Sequence, residues 1–226
     1  MEEYRGTNDD LAAALFYLLG KSVPHRSSLE EEAQKIWDQC GGDKNKILHK
    51  IVELCGDAET PKQKYLVAEA YSWLGKDYDK QTIAAAGDYL RTAGWNEFFR
   101  RSVQEDGITV DTAAAQRASV LIDLARAQED LGRLQAALFN YTEAYRLEPY
   151  RAMYVIKAAG VVEKMNGREE ALQFLEAQKK SKYYEPVRYT DAQGSVRSND
   201  LFQQLLDAQI LKYREDNPDK TMPFHF

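Results

Sequence analysis

The chain is short of the residues on which metal, redox and acid–base chemistry is usually built. It has two cysteines and three histidines in 226 residues. His25, His49 and His225 fall in a loop, on a helix and near the last residues, with no shared spacing for a metal ion or a proton relay. His49 and Glu53 stand four apart on one helix, the spacing of a surface pair. Cys40 and Cys55 each close a helical segment, SLEEEAQKIWDQC and DKNKILHKIVELC. If those helices pack antiparallel, the thiols sit at opposite ends of a rod ~18 Å long, whereas a disulfide needs Cα atoms within ~7 Å. Two reduced thiols acting as small hydrophobes are expected, which suits a reducing compartment.

Long hydrophobic runs are also missing. LAAALFYLLG (11–20) is the longest and falls short of the ~18 residues a membrane helix requires. The opening MEEYRGTNDD is acidic where a secretory leader would be basic. A cytoplasmic location with no membrane partner is the expectation. The net charge of −6 argues against a broad nucleic-acid surface. KKSKYYEPVRY (179–189) mixes cations with aromatics, but cations at a helix C-terminus also complement its dipole, so nucleic acid is not the expected partner. GGDKNK (41–46) lacks the Gly-Lys-Ser/Thr of a phosphate loop. No residue set calls for a cofactor, a metal or catalysis, and the chain reads as a non-enzyme.

What the sequence does have is helix. Ala, Leu, Glu, Gln and Lys dominate, and β-type alternation is scarce. Helices are expected near 8–20, 28–40, 43–55, 61–75, 79–93, 95–103, 111–131, 134–148, 151–165, 168–183 and 199–215, an all-α chain. Asp43 and Thr60-Pro61 look like helix starts. Gly75, Gly132 and Gly167 stand just past helical segments. Asn199 or Ser198 can cap the last helix, and the polar, aperiodic stretch 185–200 reads as a loop.

Residues 118–149 hold the most informative pattern. Two helices flank Gly132; the first presents Leu121, Leu124, Ala125, Gln128 and Leu131 on one face, the second Leu134, Ala137, Leu138, Tyr141 and Ala144. The small Ala125 and Ala137 allow close approach, and Pro149 stops the second helix. This pattern resembles the tetratricopeptide repeat, carried by Leu124, Ala125, Gly132, Leu134, Ala137, Tyr141, Ala144 and Pro149. One period of ~34 residues after Ala125 falls Ala159, followed by Val162, Met165, Ala171 and Leu175. There glycine arrives one place late, at Gly167, and no proline closes the unit until Pro186. A further match, 62–93, carries Ala68, Tyr71, Leu74 and Gly75, and its second helix, with Ala84-Ala85-Ala86, does not align uniquely.

The resemblance covers 62–93 and 118–183. It implies a single domain over 1–226: an N-terminal helical pair or degenerate repeat (1–60), a repeat at 61–94, an insertion at 95–117, repeats at 118–150 and 151–184, and a capping helix at 198–216. The implied architecture is a right-handed superhelical array of antiparallel helix hairpins. Its inner groove would be lined by the first helix of each pair. That geometry nominates Lys62, Tyr65, Glu69 and Ser72, then Ser119, Ile122, Arg126 and Glu129, then Met153, Ile156, Gly160 and Glu163. The lysine-asparagine clamp by which some family members hold a peptide carboxylate is not matched, because Arg126 and Gly160 stand where asparagine would be needed.

The function this implies is a non-catalytic scaffold that binds a peptide or protein in its concave groove through an apolar strip. A rival expectation is a peptide-sensing regulatory effector acting on a response regulator or the transcription machinery, although 1–60 holds no convincing helix-turn-helix. The terminal PDKTMPFHF (218–226), with Met222, Phe224 and Phe226, reads as a segment that packs on the last helix or joins a second copy in a homo-oligomer.

Overall fold

The computed structural model describes residues 7–21, 23, 25–92 and 102–215. The apolar tail at 218–226 lies outside them. The described residues form ten α-helices and two short β-hairpins, so the chain is mostly helical. The chain divides into two compact units, residues 1–98 and 99–226, with the division inside the segment read as an insertion.

In the first unit, helix α1 (Asn8–Leu18) is central. Ala12, Ala13, Ala14, Leu15 and Phe16 are consecutive and all buried. A helix apolar all round has to be covered all round, and α1 packs against α2 (Glu30–Gln39), α3 (Lys44–Cys55) and α4 (Pro61–Leu74). Helix α5 (Asp79–Leu90) packs on α4. The start signals read from sequence are present: Asp43 accepts from the Asn45 and Lys46 amides, and Thr60 with Gln63 forms a capping box ahead of Pro61. Cys40 and Cys55 are free thiols. Burial is the main influence that pushes the Cys55 thiol up to about 12, so it stays protonated at neutral pH.

One charged cluster locks α1 to α4. Lys62 donates to Asp10, and Arg26 reaches the same carboxylate at 3.3 Å. Burial, the largest influence, would raise the Asp10 carboxyl, but Lys62, Thr7 and Arg26 together outweigh it and hold the group below its ordinary value. A depressed folded pKa gives stability that is present above the unfolded value and lost as the pH falls through the folded one. The first unit therefore weakens as acid takes the pH below about 4, the ordinary carboxyl range. All three tryptophans lie in residues 1–98, so intrinsic fluorescence during acid titration reads this unit. The difference between wild type and Asp10→Asn should shrink at low pH; a constant difference would show that this pair contributes nothing to the acid limb.

The second unit begins with strands β1 (Ser102–Glu105) and β2 (Ile108–Asp111). Helices α6 (Thr112–Asp130), α7 (Leu134–Leu147), α8 (Ala152–Asn166) and α9 (Arg168–Ala177) follow. Strands β3 (Val187–Thr190) and β4 (Val196–Asn199) then lead into α10 (Leu201–Arg214). Each helix from α6 to α9 packs on the next, and α10 covers α8 and α9. The tight turns into α7 and α9 use Gly132 and Gly167 at φ of 73° and 102°, which side-chain-bearing residues avoid.

The alanines of the sequence pattern are buried in two cores. Ala125, Ala137 and Tyr141 pack together between α6 and α7, joined by Ala158 and Val161 of α8. Ala159, Ala171 and Leu175 are buried in a second core, between α8 and α9. Phe202, Leu205, Leu206, Ile210 and Tyr213 of α10 complete that second core. Each such side chain contributes about 1.5–3 kcal/mol on full burial, so these contacts, rather than the exposed Arg214–Glu176 pair, fix α10.

Three expectations need correction. The helix expected at 95–103 fails where it can be judged: 95–101 lie outside the described residues, and 102–105 form β1, paired with β2. The stretch 185–200 is not a plain loop but the β3–β4 hairpin. Helix α9 stops at Ala177, followed by a 3-10 turn over Gln178–Lys180, instead of running to 183. The first hairpin has a local cause. Asp106-Gly107 takes φ of 47° and 82°, the positive values of a two-residue hairpin turn whose twist matches the strands. Asn199, not Ser198, serves the last helix, accepting from the Leu201 amide at 3.2 Å.

Candidate functional site

The groove residues expected on α4 are closed off by the protein itself. Tyr65, Glu69 and Ser72 are buried, and Glu69 is only 1% exposed. Lys21, just after α1, pairs with the Glu69 carboxylate and lies over the Tyr65 and Trp73 rings at 5.5 and 5.6 Å. Lys62 is likewise buried against Asp10. These side chains lie on a face filled from within the same unit, not on an open wall.

The candidates on α6 and α8 divide. Ile122 is half-buried against the α6–α7 core, and Arg126 pairs with Asp130 at 3.3 Å. Glu129 accepts from the Tyr141 hydroxyl at 2.9 Å and from Lys164 at 2.6 Å, so one carboxylate ties α6, α7 and α8 together. Burial, and then Glu129, pushes the Tyr141 phenol well above its ordinary value. Ile156 is buried in the α8–α10 core, and Glu163 accepts from Tyr213 of α10 at 2.6 Å. Two of these candidates line cavities: Glu163 a small one beside Arg168 and Tyr213, and Met153 a larger one.

That cavity, about 350 Å³, is built wholly from the second unit. Its floor is the first turn of α8, from Arg151 to Tyr154, together with Tyr150. Tyr183, Leu201, Phe202 and Leu205 form a wall. The roof comes from the two hairpins. Glu105, Ile108 and Val110 share one face of β1–β2, and Val187 and Asn199 share one face of β3–β4, as the strand registers require. The β1–β2 turn meets side chains of β3–β4. Tyr189 donates its hydroxyl to Asp106 at 3.1 Å, Asn199 donates to the Asp106 carbonyl at 3.4 Å, and a Cβ on Gly107 would lie 2.7 Å from that of Tyr189. Glycine is therefore required at position 107 for close approach as well as for the turn.

A buried carboxylate braces the floor. Glu148, 2% exposed, accepts from the Tyr150 hydroxyl at 2.6 Å, the Tyr154 hydroxyl at 2.8 Å and Arg151 Nε at 3.3 Å. Arg151 also reaches Glu105 of the roof at 3.6 Å, and its guanidinium lies 5.5 Å from the Tyr150 ring centre. Burial and then Glu148 push both phenols up, so they remain neutral donors.

The chain matches no known protein-family model, no curated protein and no solved structure.

The described histidines do not line the cavity. His25 contacts the Val23 carbonyl and Glu30, His49 contacts Tyr78, and His225 lies outside the described residues. Among the described residues no cluster of His, Cys, Asp and Glu is placed to hold a metal ion, and no helix is long and apolar enough to cross a membrane. The sequence reading missed the cavity because its lining comes from segments far apart in the chain. The one signal within reach was Asp106-Gly107 ahead of the β-branched Ile108, Thr109 and Val110, a hairpin marker.

Proposed function

We propose that the chain is a non-catalytic interaction module whose second unit is a tetratricopeptide-like pair of helix hairpins. It binds a partner protein through an extended segment of that partner, and it does so at the hairpin-roofed cavity instead of along the faces of the helices. The observation that carries this reading is the cavity itself. Its volume lies in the ligand-pocket range of about 300–1,000 Å³, its lining is mainly apolar, and few polar groups converge on it. Short strands beside the opening give a peptide backbone edges to pair with, while the pocket takes a side chain. The helix stack holds the floor rigid, so binding orders the partner more than the receptor.

Val187 and Val196 make the test. They sit on opposite faces of the β3–β4 hairpin; Val187 lines the cavity and Val196 points to solvent, 76% exposed. Peptides are first selected on the wild-type protein from a displayed random linear library. Their affinity is then measured by fluorescence anisotropy. Val187→Trp fills the cavity and is expected to weaken binding at least tenfold, whereas Val196→Trp leaves it unchanged. Equal binding by both variants, or a selection that yields no peptide, overturns the proposal.

A further inference from the structure

The charges around the cavity favour one kind of peptide. Its rim carries Glu105, the last residue of β1, and Asp106 of the β1–β2 turn, both exposed. Directly under the floor stands Glu148, bonded to Tyr150 and Tyr154. Against these three carboxylates the lining supplies one cation, Arg151. Its guanidinium is already shared between Glu148 and Glu105. Lys182 lies 4.9 Å from the Tyr183 ring centre but does not line the cavity. The walls add aromatic surface: the Tyr150 and Tyr183 rings meet edge to face at 5.9 Å. Such rings receive the methylene stem of a long cationic side chain and attract its charged head.

We propose, resting on the peptide-binding reading above, that the cavity selects an extended segment in which a basic residue stands beside an aliphatic anchor. The anchor enters between Ile108, Met153, Val187 and Leu205. The neighbouring lysine or arginine reaches the rim carboxylates of Glu105 and Asp106. Arg151 is then an internal competitor: it answers part of the same negative field that the ligand cation would answer. That gives the two sides of the rim opposite signs. Removing a rim carboxylate weakens the binding of a basic peptide, and removing Arg151 strengthens it. A residue that only supported the fold would weaken binding in either case.

The test uses the full chain and three peptides of identical length, taken from the selected sequence, with lysine, glutamine or glutamate beside the anchor. Anisotropy titrations are run at low and at raised salt. Exposed charge pairs contribute about 0.2–1 kcal/mol, so the lysine peptide should bind roughly threefold tighter than the glutamine one, and the glutamate peptide roughly threefold weaker. Raised salt should compress this ranking. The double variant Glu105→Gln with Asp106→Asn should abolish it; asparagine tolerates the positive φ at position 106 and can still accept from Tyr189. Arg151→Gln should tighten the lysine peptide about twofold to threefold, with thermal midpoints of all variants measured alongside. If peptides bind in a manner that Val187→Trp abolishes but without a charge ranking, or if Arg151→Gln weakens the lysine peptide with its midpoint unchanged, this inference falls and the peptide-binding reading stands. If no peptide of any charge binds, both fall.

Discussion

Glu148→Ala should lower the thermal midpoint of the protein, followed by far-UV circular dichroism, by roughly 6–12 °C, the equivalent of about 3 kcal/mol in a chain of this size. The carboxylate is buried and takes three donors, two phenols and a guanidinium. Alanine leaves all three without that acceptor, next to the turn that launches α8. Glu148→Gln keeps one acceptor oxygen in place and should cost less than half as much. The order of the two variants matters more than the size of either. If glutamine is as damaging as alanine, the negative charge is what counts; if neither moves the midpoint, the network is ornamental. Because Tyr150 and Arg151 also line the cavity, the alanine variant should loosen peptide binding as well as the fold.

Ala125→Leu and Ala159→Leu should each cost about 2–3 kcal/mol, and by similar amounts. Both methyl groups are fully buried at points where two helices touch. Three extra carbons have no room there, so the helices must separate or the leucine must leave its preferred rotamers. Ala177→Leu, exposed at the end of α9, is the control and should stay within about 0.5 kcal/mol of wild type. Chemical denaturation curves of the four proteins decide the matter. A large loss at 125 with none at 159 would show that the two crossings are not equivalent, whatever their spacing in sequence.

The helices were legible because their signals are local. Asp43, Thr60-Pro61, Gly132 and Gly167 act within one turn of where they stand, and Ala125 with Ala137 records a contact between neighbours in the chain. The faces of those helices were legible only in part. Tyr65, Glu69 and Ser72 read as open surface because they lie off the face that carries Ala68 and two of them are polar, yet the Tyr65 ring meets Tyr89 of α5 at 5.7 Å. Their cover is Lys21 and α1, over 40 residues upstream, and no period in α4 announces it. Glu163 and Ile156 were misplaced in the same way, by a helix that arrives later in the chain. The 185–200 hairpin was hidden by its brevity: Val187-Arg188-Tyr189-Thr190 alternates over four residues only, and its partner Val196-Arg197-Ser198-Asn199 does not alternate, so the strands are identified by their pairing. The cavity lay furthest from view, since the α7–α8 turn, Tyr183, both hairpins and the start of α10 meet only after the fold has formed.

The outward faces of the hairpins, with Gln104, Thr109, Arg188, Thr190 and Ser198, are exposed, so new residues or longer turns there would not disturb the alanine seams between the helices. Under the proposed reading, the ribbons hold the part of the pocket that can vary freely, whereas Ala152, Phe202 and Leu205 serve pocket and core at once. If the cavity does take a peptide, lineages of such a protein could shift their clientele by redrawing the inward positions of two short ribbons, while the alanine seams beneath them are inherited intact.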